Sequence, residues 1–205
     1  MSKRKIQVFT IAIALMAVGS LTVVARDLSP GDTINNFKLQ DINGKTQELY
    51  KLADKNAIVF MVQGNGCPIV RLAVPPLRDV RDQYQKRGVE FFLLNTNLQD
   101  TADAVKAESN EFGFNFPIWM DRNQKVGEAL GITRTAEIFV VDPKTWKLKY
   151  HGPIDDRLSY EKQRPVQNHY LTDALDAMLA GKPVKVASVN SPGCLINFPN
   201  RSQVL

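Results

Sequence analysis

Three short apolar runs, spaced by segments of helical periodicity, constrain this chain more than anything else in it. "AIVFMV" (residues 57–62), "VEFFLLN" (residues 89–95) and "AEIFVVD" (residues 136–142) carry almost no polar alternation. A strand with one face in water alternates; a strand covered on both faces reads as a continuous apolar run. After the first run, Val70, Ala73, Val74, Leu77, Val80 and Tyr84 recur three and four residues apart. That spacing predicts a helix from about Pro68 to Arg87 with one buried face, kinked at Pro75-Pro76 because proline lacks the N–H and crowds the preceding turn. A polar helical stretch from about Asp100 to Asn110 follows the second run. "FPIWMD" then reads as a short strand and "QKVGEALGI" as a short helix closed near Gly131. "KLKYHG" is the expected antiparallel neighbour of the third run. Leu171, Ala174, Leu175, Met178 and Leu179 mark a last helix stopped by Gly181 and Pro183. Ahead of everything, Asn43-Gly44 between short alternating segments predicts a hairpin with a two-residue turn.

The expected fold is therefore α/β: a central mixed β-sheet flanked by helices, with right-handed β-α-β crossovers, an N-terminal β-hairpin and an extended C-terminal tail. The chain has 205 residues, which suits one such domain plus a targeting segment. Residues 1–25 read as that segment. Lys3, Arg4 and Lys5 precede an uncharged, mostly apolar stretch from Ile6 to Ala25, with Val23 and Ala25 placed for signal peptidase. The stretch also reaches the roughly 20 residues of a membrane anchor, so a cleaved signal and a retained anchor both stand. Either way the domain at residues 26–184 and the tail at residues 185–205 are expected in an exported, periplasmic or extracellular setting. The membrane would enter only through the leader. Those three leader cations supply much of the net charge of +5, and what remains is too little to argue for nucleic acid binding.

The chain has two cysteines, Cys67 and Cys194. In an exported protein they read either as one structural disulfide tying down the tail or as a redox pair. Cys67 sits in "QGNGCPIV", at the start of the first predicted helix, where free N–H groups and the helix dipole favour a thiolate. Gly64 and Gly66 permit a tight turn, and Pro68 suits the first helical position. The plainer alternative is a small buried cysteine at a helix end.

In order and spacing, several motifs resemble the thioredoxin-like superfamily, and within it exported redoxins of the alkyl hydroperoxide reductase and thiol-specific antioxidant (AhpC/TSA) type. "PGDTINNFKLQDINGK" is similar to the P-x-F-x-L-x-D-x-x-G-K hairpin, and a buried strand runs into Cys67-Pro68. Pro75 lies eight residues beyond the cysteine, and "TRTAEIFVVD" is similar to the T-P-x-x-F-x-I-D segment that faces it. "HGPIDDRLSYEKQRP", "ALDAMLAGKPV" and "GCLI" resemble the C-terminal part of a redoxin subgroup. The likeness runs from about Ser29 to Ile196.

The departures are specific. Val70 stands for the second thiol of C-x-x-C, and Gly66 for a tryptophan. Gly64 and Phe60 replace the threonine or serine and the proline of peroxiredoxins. Ala136 takes the cis-proline position, so the Thr135–Ala136 bond is expected to be trans.

The resemblance implies an oxidoreductase with Cys67 as nucleophile and no cofactor. Its partner would be a protein thiol or disulfide, or a small peroxide. Cys194 is the one internal candidate for a resolving thiol. Roughly 13 residues separate it from Gly181, an extended reach of ~45 Å. The rival is a redox-silent binding or assembly module on the same fold, with Cys67 and Cys194 as a structural disulfide or unpaired. Gly66, Pro68, Arg71, Thr135, Ala136 and Glu137 are the expected neighbours of Cys67. Arg71 would either support the thiolate or stay solvated, and Arg134 likewise. Glu137 would either relay a proton or, the favoured reading, face solvent at a strand end. His169 is expected on the surface, and His151 near a loop-fixing cluster of Asp155, Asp156 and Arg157. No metal site is expected, since soft ligands do not cluster and Arg71 falls where copper-handling relatives carry their second cysteine.

Overall fold

The computed structural model describes residues 28–159 and 162–199; the leader, and with it the signal-or-anchor reading, lies outside the described residues. Seven strands form one sheet: β1 (Lys38–Asp41), β2 (Thr46–Glu48), β3 (Ala57–Gln63), β4 (Val89–Asn95), β5 (Ile118–Met120), β6 (Ile138–Asp142) and β7 (Lys147–Gly152). Their order is β2-β1-β5-β4-β3-β6-β7. The central pairs β3–β4 and β4–β5 are parallel, and the other neighbours are antiparallel. Four α-helices accompany them: α1 (Pro68–Tyr84), α2 (Ala102–Glu111), α3 (Lys125–Ala129) and α4 (Tyr170–Leu179). This is the mixed, helix-flanked sheet that the apolar runs require. α1 runs as one helix through both prolines.

The hairpin differs from its predicted form. Asp41 and Lys45 are the last opposed residues, so Ile42, Asn43 and Gly44 make a three-residue loop. The Asp41 carboxylate accepts the N–H groups of Asn43 and Lys45, at 2.9 and 3.0 Å. This side-chain turn takes one residue more than the Asn-Gly pair alone suggests.

Each central strand is buried on both faces, and its alternate residues feed two cores. Val59, Met61, Phe91, Leu93, Ile138 and Val140 join Cys67 and the apolar faces of α1 and α4. Ile58, Phe60, Phe92, Phe139 and Val141 point the other way. On that second face a row of stacked rings crosses five strands. Trp119–Phe92, Phe92–Phe60, Phe60–Phe139 and Phe139–His151 have centroids 4.0, 5.2, 5.0 and 4.4 Å apart. Phe60 is thus a member of this row.

The tail is extended, as expected, but it is bound rather than loose. His151 and Ser188 form a parallel bridge beside β7, and Arg134 and Leu195 form an antiparallel one. Ile196 and Phe198 anchor it in the second core. Asp155 pairs with Arg157 at 2.7 Å, while Asp156 accepts the N–H groups of Gln167 and Asn168. This cluster fixes the loop ahead of α4.

Candidate active site

Cys67 caps the N-terminus of α1, with Pro68 as the first helical residue. It is 4% exposed. The loop that delivers it, Gly64 to Gly66, hangs on two carboxylates. Asp100 accepts the Asn65 N–H at 2.8 Å, and Glu108 accepts the Gly66 N–H at 2.9 Å. Behind them Asn95 donates to both Gln63 and Asp100, at 2.6 and 2.7 Å, and Gln63 donates to Glu108 at 3.3 Å. Glu108 is 5% exposed. It also receives the Arg71 guanidinium, with Nε at 2.8 Å and Nη2 at 2.7 Å.

Arg71 is therefore neither a solvated charge nor a partner of the thiolate. It neutralises Glu108 and lies over the Phe112 ring, 3.9 Å from its centroid. The sequence did carry a signal for Glu108: it shares a helix face with Val105 three residues earlier.

The facing loop supplies the direct contact. Thr135 Oγ1 lies 3.0 Å from Cys67 Sγ and accepts the Cys194 N–H at 2.9 Å. Between loop and cysteine there is no room for a side chain at position 64. A Cβ on Gly64 would meet Thr135 Cγ2 at 2.6 Å and Asn97 Nδ2 at 2.7 Å. The threonine or serine of peroxiredoxins could be accommodated here only if the Thr135 and Asn97 side chains turned away.

Ala136 is buried against the same core as Cys67. Among the described residues there is no cis peptide bond, so Thr135–Ala136 is trans, as the missing proline implies. Instead, Ala136 sits at φ +60°, left-handed backbone that costs a non-glycine residue about 1–3 kcal/mol unless its surroundings hold it. Its N–H bonds the Val62 carbonyl at 2.7 Å.

Glu137 corrects the favoured expectation of a solvent-facing strand end. It is 4% exposed and lies on the Phe139 side of the sheet, away from Cys67. Thr133 Oγ1 donates to it at 2.6 Å, the Arg134 N–H at 2.9 Å, and His151 Nε2 lies at 3.2 Å. His151 therefore pairs with Glu137 rather than with the Asp155-Asp156 loop. Arg134 donates to the Gly193 carbonyl at 3.0 Å, where a solvated side chain was expected. His169 is exposed, as its place on the last helix predicts.

The tail brings Cys194 to this loop. The Thr135 N–H donates to the Cys194 carbonyl at 2.9 Å, and the Ile196 N–H to the Thr133 carbonyl at 3.0 Å. Gly193 is what lets the strand seat, since a Cβ there would come within 3.0 Å of the Thr135 carbonyl oxygen. Both cysteines are free thiols. Burial pushes the Cys67 thiol up, but the Cys194 thiol, the Thr135 hydroxyl and the N–H groups of Val70 and Cys194 outweigh it. The net effect holds Cys67 below an ordinary thiol. Burial and the Cys67 sulfur together push Cys194 up to about 11. The two thiols are thus pushed in opposite directions, with Cys67 the one that gives up its proton first.

The AhpC/TSA family model matches residues 30–151, which leaves Cys194 outside the matched region. Thiol-disulfide oxidoreductase ResA of Bacillus anthracis is 29% identical over 112 residues, 55% of this chain and 63% of that protein. The chain thus spans less than two thirds of the length of such relatives. A hypothetical protein of Sinorhizobium meliloti 1021 superposes with a TM-score of 0.76 at 29% identity, over 85% of this chain and 97% of that one. The thioredoxin domain of a thiol-disulfide oxidoreductase from Bacteroides vulgatus has a TM-score of 0.57 at 15% identity, over 75% of this chain and 99% of its own. That likeness speaks for the thioredoxin-like fold alone. With the family model covering more than half of its length, the chain belongs to the AhpC/TSA family.

Proposed function

We propose that the chain is an exported thiol–disulfide oxidoreductase in which Cys67 is the nucleophile and Cys194 the resolving thiol. The observation that carries this is the shared use of Thr135 Oγ1, which contacts the Cys67 sulfur and accepts the Cys194 N–H. Export rests on the composition of the leader. Exchange with a protein disulfide is favoured over peroxide reduction, because Gly64 and Phe60 replace the two peroxiredoxin residues and both are locked in by packing.

The Cys67 thiolate attacks one sulfur of a partner disulfide, that bond breaks, and the partner's first sulfur leaves as a thiolate and takes a proton. Cys67 is then uncharged in a mixed disulfide. One cause of the raised Cys194 pKa, the Cys67 charge, disappears with it. Cys194 gives up its proton more readily and attacks the Cys67 sulfur, releasing the partner's second thiol. The partner disulfide is reduced to a dithiol, and Cys67 and Cys194 are oxidised to a disulfide. An external dithiol must restore the pair. Consumption of the first thiolate thus eases loss of the Cys194 proton, while burial, the larger cause of the raised value, stays in place.

The test is to mix the reduced chain with a protein disulfide and follow thiol loss at Cys67. Reaction faster than a free small-molecule thiol, abolished in Cys67→Ser, is the expected result. Reaction no faster than that free thiol would leave the redox-silent binding module as the better reading.

A further inference from the structure

Glu137 has no role in the exchange just described, yet it is a nearly buried carboxylate one residue from the strained Ala136. Its bonds are unusually local. It accepts from the Thr133 hydroxyl and N–H and from the Arg134 N–H, four and three residues back along the chain. Those contacts close residues 133–137 into a ring, and the residue inside the ring that must turn left-handed is Ala136. Thr135, next to it, is the residue whose hydroxyl meets Cys67. In this loop no proline fixes the backbone, and an alanine would not choose φ +60° unaided.

We infer that Glu137 is a positioning residue: from the far side of the sheet, its carboxylate locks the Thr133–Ala136 turn that aims Thr135 Oγ1 at the Cys67 sulfur. Among the described residues, the charged or titratable groups that share its pocket are Arg134 and His151 from β7, whose ring stacks on Phe139 and lies 3.2 Å from Oε2. The lock has a second consequence. The backbone it fixes is the one on which the tail seats, through the Thr133 carbonyl and the Thr135 N–H. Loss of the lock would therefore weaken both the thiolate contact and the delivery of Cys194. The inference rests on the proposed redox role only for its biological meaning, since its test reads the Cys67 thiol directly.

The sign of the effect separates positioning from simple charge. Glu137→Ala removes the acceptor together with its negative charge, and by electrostatics alone that would lower the Cys67 pKa. Loss of the turn would take away the Thr135 hydroxyl and raise it. The experiment is the pH profile of Cys67 alkylation by iodoacetamide in the Cys194→Ser background, with and without Glu137→Ala. The expected result is a profile moved to higher pH, with the neutral-pH rate down at least about threefold. Adding Ala136→Gly, which takes the left-handed turn without a lock, should restore it. A profile that does not move, that moves to lower pH, or that Ala136→Gly fails to repair overturns the inference. Thr133→Val, which removes one donor and no charge, serves if the Ala variant does not fold, and the same shift is required of it. An ordinary Cys67 profile in the unmodified chain would instead strike at the proposed redox role.

Discussion

Thr135 Oγ1 lies 3.0 Å from the Cys67 sulfur across the mouth of α1. That oxygen already accepts the Cys194 N–H, so its own hydrogen is free for the sulfur. One hydroxyl therefore reports on both halves of the proposed redox pair. Thr135→Val keeps the side-chain shape and deletes the hydroxyl. A hydrogen bond to a charged group contributes about 1.5–3 kcal/mol, so Cys67 alkylation at neutral pH should slow by roughly tenfold, with the fold intact by circular dichroism. An unchanged rate would mean that the Cys194 thiol and the backbone N–H groups activate Cys67 without the Thr135 hydroxyl.

The two thiols should titrate far apart. Cys67 is held below an ordinary thiol and Cys194 is raised to about 11. Alkylation near neutral pH should mark Cys67 first, with Cys194 following only as the pH nears its raised value. Stability follows the same signs. The Cys67 contribution is present above the unfolded thiol pKa and lost as pH falls through its lowered folded value. The Cys194 contribution is present below the unfolded thiol pKa and lost as pH rises toward 11. Denaturation of Cys194→Ser should therefore show less loss of stability at alkaline pH than the unmodified chain. Mapping both sites by mass after timed alkylation checks the order; equal labelling would contradict it.

Glu108→Ala should act on the loop rather than on the sulfur. It strips the Gly66 N–H, the Gln63 amide and the Arg71 guanidinium of their common acceptor. Arg71 is 38% exposed at the side chain and can turn to water, so the loss should be roughly 2 kcal/mol rather than that of a fully buried pair. Chemical denaturation measures it, and a change within a few tenths of a kcal/mol would show that Asp100 suffices to hold the loop.

Gly64→Ser tests whether the site can be returned to a peroxiredoxin-like pattern. The new Cβ would overlap Thr135 Cγ2 and Asn97 Nδ2. Overpacking of that kind costs about 1–3 kcal/mol and forces the Thr135 side chain to turn, which takes its hydroxyl off the Cys67 sulfur. The variant should lose stability and thiol reactivity and gain no peroxidase activity. A gain in peroxide reduction would reverse the ranking of the two reactions.

The scaffold was legible because burial on both faces writes itself as uninterrupted apolar runs. Cys67-Pro68 was legible because a helix start has its own residue preferences. The buried bonds of Arg71, Glu108 and Glu137 were not, for one shared reason: a charged side chain reads as solvated by default, and nothing in the sequence marks the partners that hold it. Nothing in "ADAVKAESNE" announces that Glu108 turns inward to hold a loop over 40 residues away, except its place on the Val105 face. The Asn43-Gly44 turn was found but its length misjudged, because Asp41 sets the loop through its side chain. The tail has no period, since its pairing with Thr133 and Thr135 uses backbone groups, which sequence does not mark.

The central claim, that Cys67 and Cys194 form the working pair, is tested most directly by oxidising the reduced chain with one equivalent of a protein disulfide and mapping the product by mass. The account predicts a Cys67–Cys194 linked peptide, with a mass loss of two hydrogens that a dithiol reverses, and a trapped mixed disulfide on Cys67 in Cys194→Ser. A stable mixed disulfide on Cys67 in the unmodified chain, with Cys194 still free, would contradict it.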